Sequence, residues 1–124
     1  PEADVFGFNS TSPAATIDAE ALSPTFLTAD YDGLSNAGAF GGVALVYDTP
    51  VDLTQTGDLV FQIDSPTLTS AKIEVKDSAN NVYQAVIQNI QPFGQKYQIT
   101  LADITGVDLT DVKEIVFVIE GDTV

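Results

Sequence analysis

Carboxylates make up most of the side chains in this sequence that are able to take part in catalysis or ligand binding. The chain contains 18 Asp and Glu residues and 4 Lys, but no His and no Cys. Nucleophilic triads with a histidine base and thiol chemistry are therefore excluded. A pair of carboxylates can hydrolyse a glycosidic bond, but any two of the eighteen would qualify, so composition singles out no catalytic pair. We predict that the chain is not an enzyme.

The formal net charge of −14 restricts the choice of partner. No Lys or Arg precedes Lys72, so the carboxylates before it have no neighbouring cation in the sequence. Such a chain would repel phosphate groups, and we expect neither nucleic acid nor an anionic membrane surface as a partner. The longest nearly apolar run, residues 38–47, is too short to span a bilayer. The GAFGG sequence at residues 38–42 is not a phosphate-binding loop, because no lysine follows the glycines.

Aspartate supplies the hard oxygen ligands that Ca²⁺ prefers. The densest cluster is DYDGLSN, which contains Asp30 and Asp32. It is not an EF-hand loop, because the glycine comes too early and the twelfth position is Gly41. Two interpretations remain open and are compatible: Ca²⁺ as a cofactor, or an acidic surface that confers solubility.

The elements that must position these residues are β-strands. Apolar and polar residues alternate with a period of two over 72–77, 82–88 and 97–101, and the turn sequences DSANN and QPFGQ separate these runs. No segment has a helical period over a helix-length window. Many short strands separated by turns predict an all-β, antiparallel β-sandwich. Further strands are predicted at 4–8, 25–28, 43–47, 59–63 and 115–119.

The tetrapeptide VDLT occurs twice, at residues 51–54 (the first corner) and 107–110 (the second corner). Asp at the second position can cap a helical turn by accepting backbone N–H groups. We predict that each corner marks a crossing between strands or sheets, with Leu53 and Leu109 pointing into the core. The strands that follow the corners are predicted to bury Phe61, Ile63, Phe117 and Ile119.

The order of strand, DLT corner, strand DLVFQIDS and hairpin KIEVKDSANNVYQAVI resembles the galactose-binding-like jelly-roll domains. Many of these are non-catalytic carbohydrate-binding modules of secreted bacterial enzymes. The resemblance covers residues 40–121 and includes VDLTDVKEIVFVIEG, which is similar to the penultimate segment of such modules. It implies one jelly-roll domain over residues 1–124, an extracellular or cell-surface location, and a polysaccharide or glycan as partner.

Modules of this type stack sugar rings on exposed aromatic side chains, often Trp, which this chain lacks. The resemblance therefore points to the other aromatic residues Tyr31, Phe40, Tyr83, Phe93 and Tyr97, of which Tyr97 is predicted to be in the core from its strand alternation. We take Tyr31 and Phe93, which we expect in loops, and Tyr83 as ligand-binding candidates. The alternative is that the loop aromatics cover the ends of the sandwich.

The resemblance also implies a structural Ca²⁺ between the early strands and the final one. The acidic residues in comparable regions of this chain are Glu2, Asp4, Asp18, Glu20, Glu120 and Asp122. With Asp30 and Asp32 they form the candidate metal set.

Residues 1–14 are predicted to form an N-terminal strand followed by a hinge. The chain stops soon after VFVIEG, where similar modules add one more strand, and an unfilled edge recruits a strand readily. We expect residues 4–8 to pair with a sheet edge, either in the same chain or in a neighbour. The second case gives the alternative function: a structural or adhesive subunit of an extracellular fibre, self-associating through sheet edges by strand donation.

Overall fold

The structure is a computed structural model that describes residues 3–10, 16–23, 26–32, 38–55, 58–63, 65, 68–92 and 94–120. For Ala3, Phe61 and residues 16–23 and 26–32 the description is of the backbone alone. No helix within these ranges has the length and apolar character needed to cross a membrane.

The described residues form nine β-strands and two short 3₁₀ helices, at Leu53–Gln55 and Leu101–Asp103. The strands are β1 (Ala3–Asn9), β2 (Thr16–Ser23), β3 (Phe26–Asp32), β4 (Phe40–Val51), β5 (Leu59–Ile63), β6 (Ala71–Asp77), β7 (Val82–Ile87), β8 (Gln95–Ile99) and β9 (Val112–Glu120).

Every pairing is antiparallel. One sheet has five strands in the order β1-β4-β9-β6-β7, and two further ladders join β2 with β3 and β5 with β8. The predicted all-β sandwich is confirmed, and strand alternation explains its core. Ile73 and Val75, at 1% and 0% exposure, share one side of β6, and Ile99 and Leu59 from the β5–β8 ladder pack over them.

The two corners lie at crossings between the five-stranded sheet and the β5–β8 ladder, as predicted. In the first corner an oxygen of Asp52 accepts the backbone N–H of Thr54 at 2.9 Å and also its hydroxyl. The second corner repeats this arrangement: Asp108 accepts the N–H of Thr110 at 3.0 Å and its hydroxyl at 2.6 Å. The repeated sequence therefore encodes one turn used twice.

The corners are also joined to each other, because the N–H of Leu53 donates to the carbonyl of Leu109 at 2.8 Å. Leu53 is buried, and the half-buried Leu109 packs against the same core cluster. The prediction that both leucines point into the core is confirmed.

A buried carboxylate ties the second corner to the β6–β7 hairpin. Asp77 is 2% exposed and accepts the N–H groups of Ala79 and Asn81 on one oxygen. Its other oxygen accepts the side-chain amide of Asn81 and the N–H of Asp108, both at 2.9 Å. The hydrogen bond from Asp108 and then that from the Asn81 side chain lower the pKa of Asp77, against the opposing effect of burial.

We expect the stability that Asp77 contributes to depend on pH. Because its folded pKa is lowered, the contribution is fully present above the ordinary carboxylate pKa of about 4 and is lost as the pH falls through the folded value. Asp77→Asn should lower Tm by roughly 5 °C at pH 7, and the difference from the wild type should shrink below about pH 4. Thermal melts of both proteins and of Asp103→Asn, an exposed control, measure this. A difference that is the same at pH 7 and pH 3 would contradict the assignment.

Two details differ from the predictions, and a third prediction is untested. Strand β2 was not predicted, because TIDAEALS has four acidic or small residues of low strand propensity between Ile17 and Leu22. Phe117 and Ile63 are half-buried and pack against the core, whereas Ile119 is buried as predicted. The side chain of Phe61 lies outside the described residues.

The repeated strands are not equivalent in burial. Val60 in β5 is 59% exposed, whereas its counterpart Val116 in β9 is 3% exposed. The physical reason is position: β9 lies between β4 and β6 in the larger sheet, and β5 belongs to a two-stranded ladder. The strand predicted at residues 4–8 is β1, which pairs with β4 of its own chain from Ala3 opposite Tyr47 to Asn9 opposite Gly41. The hinge predicted after it lies, apart from Ser10, outside the described residues.

Candidate functional site

The five-stranded sheet has a second side, opposite to the core, which we call the outer face. Side chains alternate between the two sides of a strand, so the registers of the four ladders define its members. They are Asp4, Phe6 and Phe8 of β1; Phe40, Gly42, Ala44 and Val46 of β4; Glu114, Val116, Val118 and Glu120 of β9; Lys72, Glu74 and Lys76 of β6; and Val82, Gln84 and Val86 of β7.

Three phenylalanines form the aromatic half of the outer face: Phe6, Phe8 and Phe40. Phe6 is 53% exposed and Phe40 is 46% exposed. Phe6 is paired with Ala44, four residues along β4 from Phe40, so the two Cα atoms lie about 14 Å apart at the usual strand rise and spacing. Exposed rings at this separation can contact more than one ring of an extended ligand.

Gly42 allows the third ring to lie against the backbone. A Cβ on Gly42 would lie 2.5 Å from the ring of Phe8 and 2.1 Å from the carbonyl oxygen of Phe117. Phe8 is directly opposite Gly42 in the β1–β4 ladder. Glycine is therefore required at position 42, because the Phe117 carbonyl and the Phe8 ring leave no room for a side chain. The half-buried Phe8 ring lies against β4 and does not project from the outer face.

The polar half of the outer face comprises Lys72, Glu74, Lys76, Gln84 and Glu120. Lys72 forms an ion pair with Glu120 at 2.5 Å. Glu74 is contacted twice, by Lys76 at 3.7 Å and by the amide of Gln84 at 3.4 Å. These contacts orient both hydrogen-bond donors and acceptors on the outer face.

The centre of the outer face is apolar. Ala44 and Val116, at 7% and 3% exposure, are adjacent in the ladder between Phe6 of the aromatic half and Glu74 of the polar half. Because Ala44 and Val116 are almost fully covered, apolar contact with a ligand comes from the exposed rings of Phe6 and Phe40, and hydrogen bonds come from the polar half.

Of the three sequence-predicted ligand residues, only Tyr83 has a side chain that the structure describes. Tyr31 lies in β3, opposite Ile17, rather than in the loop that we predicted, and its side chain is outside the described residues. Phe93 is also outside the described residues. Tyr83 is half-buried and packs against the core cluster, on the side of the sheet opposite to the outer face.

Sequence reasoning included Phe40 among the possible stacking aromatics but did not carry it into the ligand set, and it did not consider Phe6 for this role. The signal for Phe6 was present in DVFGF, because this strand has apolar residues at both odd and even positions and therefore has two apolar faces. Which side faces the core depends on the register with β4, which is a long-range property.

Two members of the candidate metal set have described side chains. Asp4 is exposed on the outer face, and Glu120 is ion-paired with Lys72. Among the residues whose side chains are described, no three carboxylates lie close enough together to hold a metal ion.

The remaining candidate metal ligands lie where side chains are not described. In the β2–β3 ladder Asp18 is directly opposite Asp30, Thr16 is opposite Asp32, and Glu20 is opposite Thr28. Glu2 and Asp122 fall outside the described residues. Calcium binding stays a prediction.

No family model matches the chain, and no curated protein matches its sequence. Solved structures do match. The family 11 carbohydrate-binding module of the cellulosomal cellulase Lic26A-Cel5E of Clostridium thermocellum aligns with a TM-score of 0.66 and 11% identity, over 99% of this chain and 81% of that one. The same family's module from that organism, in complex with a β-1,3-1,4-mixed-linked tetrasaccharide, aligns with a TM-score of 0.64 and 12% identity, over 96% and 81%.

Larger proteins also contain this fold. An exo-β-agarase aligns with a TM-score of 0.62 and 14% identity, over 94% of this chain but 21% of the agarase. The chain thus spans about a fifth of the length of that enzyme. At these identities the comparisons show the fold alone: the chain has the β-sandwich of carbohydrate-binding modules, as the resemblance in its sequence predicted.

Proposed function

We propose that the chain is a non-catalytic, extracellular module that binds polysaccharide through the outer face. The observation that carries the proposal is the pair of half-exposed rings, Phe6 and Phe40, on the face that also presents the polar half. The structurally similar module solved with a mixed-linked tetrasaccharide supports the same class of ligand.

The chemistry of a sugar suits this division. The C–H groups of a pyranose ring form an apolar surface that packs on aromatic rings, and its hydroxyls donate and accept hydrogen bonds. The aromatic half can pack against the C–H surface of the sugar. The polar half supplies carboxylate, amide and ammonium partners for the sugar hydroxyls.

The agarase comparison supports a further part of the proposal, that the module belongs to a larger secreted glycoside hydrolase. In such an enzyme the module would hold a separate catalytic domain on its polymer. The alternative function, a fibre subunit completed by strand donation, receives no specific support from the described residues, because all seven residues of β1 pair with β4 of the same chain.

The charge of the chain predicts which polysaccharides are bound. The outer face carries two lysines against four carboxylates, those of Asp4, Glu74, Glu114 and Glu120, on a chain of net charge −14. An anionic polymer would be repelled. We therefore expect retention on agarose beads or retardation in gels containing mixed-linked β-1,3-1,4-glucan, and no retardation by a sulfated polysaccharide.

The measurement is affinity electrophoresis at low and at moderate salt, with bovine serum albumin as the acidic control. Binding to a neutral polymer should change little with salt, because it does not depend on opposite charges. Retardation by the sulfated polymer alone, reversed by salt, would contradict the proposal.

A further inference from the structure

Glu74 occupies a distinctive position in the polar half. Its side chain is 23% exposed, so it is held by the surrounding structure and still reaches solvent. One of its oxygens faces Lys76 at 3.7 Å, and the other accepts the Gln84 amide at 3.4 Å. A carboxylate has about four acceptor positions, and two long contacts leave capacity for a ligand hydroxyl.

The other carboxylates of the outer face are less suited to this role. Glu120 is committed to Lys72 by a much shorter contact of 2.5 Å. Glu114 is paired with Lys76 and not with Glu74. Across the other strands Glu114 is aligned with Asp4 of the edge strand β1 and not with Phe6.

The registers place Glu74 in line with the aromatic half. Phe6 pairs with Ala44, Ala44 with Val116, and Val116 with Glu74, which makes one row across four strands. Three strand spacings put the Cα atoms of Phe6 and Glu74 about 14 Å apart. A single sugar ring is too short to contact both, but an oligosaccharide lying across the strands can do so by passing above the buried Ala44 and Val116.

We propose that Glu74 is the specificity-determining hydrogen-bond acceptor of the outer face, and that the glycan chain lies across the strands from Phe6 to Glu74. The adjacent Gln84 orients the carboxylate and adds a donor and an acceptor of its own. This inference rests on the proposed carbohydrate-binding function. It adds that the ligand is an internal stretch of several sugar units and that its hydroxyls are recognised on β6.

The test is calorimetric titration of wild type, Glu74→Gln and the exposed control Asp103→Asn with tetrasaccharides from mixed-linked β-glucan and from agarose, and with the corresponding monosaccharides. We expect Glu74→Gln to weaken tetrasaccharide binding about tenfold, the usual effect of weakening a hydrogen bond to a charged group. Asp103→Asn should bind like the wild type, and the monosaccharides should bind far more weakly than the tetrasaccharide. Urea unfolding of Glu74→Gln should match the wild type, which separates recognition from folding.

Two results would overturn the inference while leaving the proposed function intact. One is a Glu74→Gln variant that binds the tetrasaccharide as tightly as wild type does. The other is a monosaccharide that binds as tightly as the tetrasaccharide. If the wild type binds none of these sugars and neither polymer, the proposed function itself fails, and the inference fails with it.

Discussion

Gly42→Ala is expected to destabilise the protein by about 3 kcal/mol or more, at or above the upper end of typical overpacking costs. The new methyl carbon would lie 2.1 Å from the carbonyl oxygen of Phe117 and 2.5 Å from the ring of Phe8. The ring can turn away, but the oxygen belongs to the backbone of the central strand β9. Relief of the clash therefore requires β4 and β9 to separate. Urea unfolding followed by circular dichroism measures the loss.

Two further variants identify the cause. Gly106 has a φ of +79° and nothing within 4 Å of a Cβ position, so Gly106→Ala should cost only about 1–2 kcal/mol of backbone strain. The double variant Gly42→Ala with Phe8→Ala should remain as unstable as Gly42→Ala or become less stable, because the oxygen of Phe117 stays in place. Stability of Gly42→Ala within about 0.5 kcal/mol of the wild type, the range of ordinary surface substitutions, would show that the strands do not approach as described.

Replacing both exposed rings, Phe6→Ala with Phe40→Ala, is expected to weaken polysaccharide binding about 30-fold or more. Each ring is about half exposed in the free protein, and covering the exposed half with a sugar is worth about 1 kcal/mol. The sum of about 2 kcal/mol corresponds to that factor. Affinity electrophoresis in gels that contain mixed-linked β-glucan measures this effect on the polymer, which is long enough to contact both rings. Phe40 lies four residues along β4 from the row that joins Phe6 to Glu74, so a tetrasaccharide bound on that row should respond to Phe6→Ala and little to Phe40→Ala.

Val60→Ala is the matched control, because Val60 is 59% exposed on β5, away from the five-stranded sheet. It should bind as the wild type does. Near-ultraviolet circular dichroism should show that the double variant keeps its tertiary structure. A folded double variant with undiminished affinity would remove the outer face as the binding surface.

Local patterns in the sequence predict much of the fold. Strand β5 begins and ends at the predicted residues, and β6 and β7 differ from the predictions by a single residue each. Asn80, with a positive φ of 65°, lies in the predicted DSANN turn. These features depend on residues that are close in sequence. The corner turns were also predictable, because Asp52 and Asp108 cap residues only two positions away.

The binding surface could not be predicted in the same way. The row from Phe6 through Ala44 and Val116 to Glu74 joins four strands that are far apart in sequence, and a register shifted by one residue would move each side chain to the other side. Asp77 was missed for a related reason. In the sequence Asp77 looks like an ordinary turn aspartate, and Asp108, whose backbone N–H donates to it, is 31 residues away.

The central claim is that the outer face binds carbohydrate, and mapping amide chemical-shift changes by NMR tests it most directly. The uniformly ¹⁵N-labelled protein is titrated with the mixed-linked β-glucan tetrasaccharide and, separately, with an agarose-derived tetrasaccharide. At least one sugar should shift the amides around Phe6, Ala44, Val116 and Glu74 most strongly and leave the β5–β8 ladder unchanged. Saturable shifts that are confined to β5, β8 or the two corners would contradict the account.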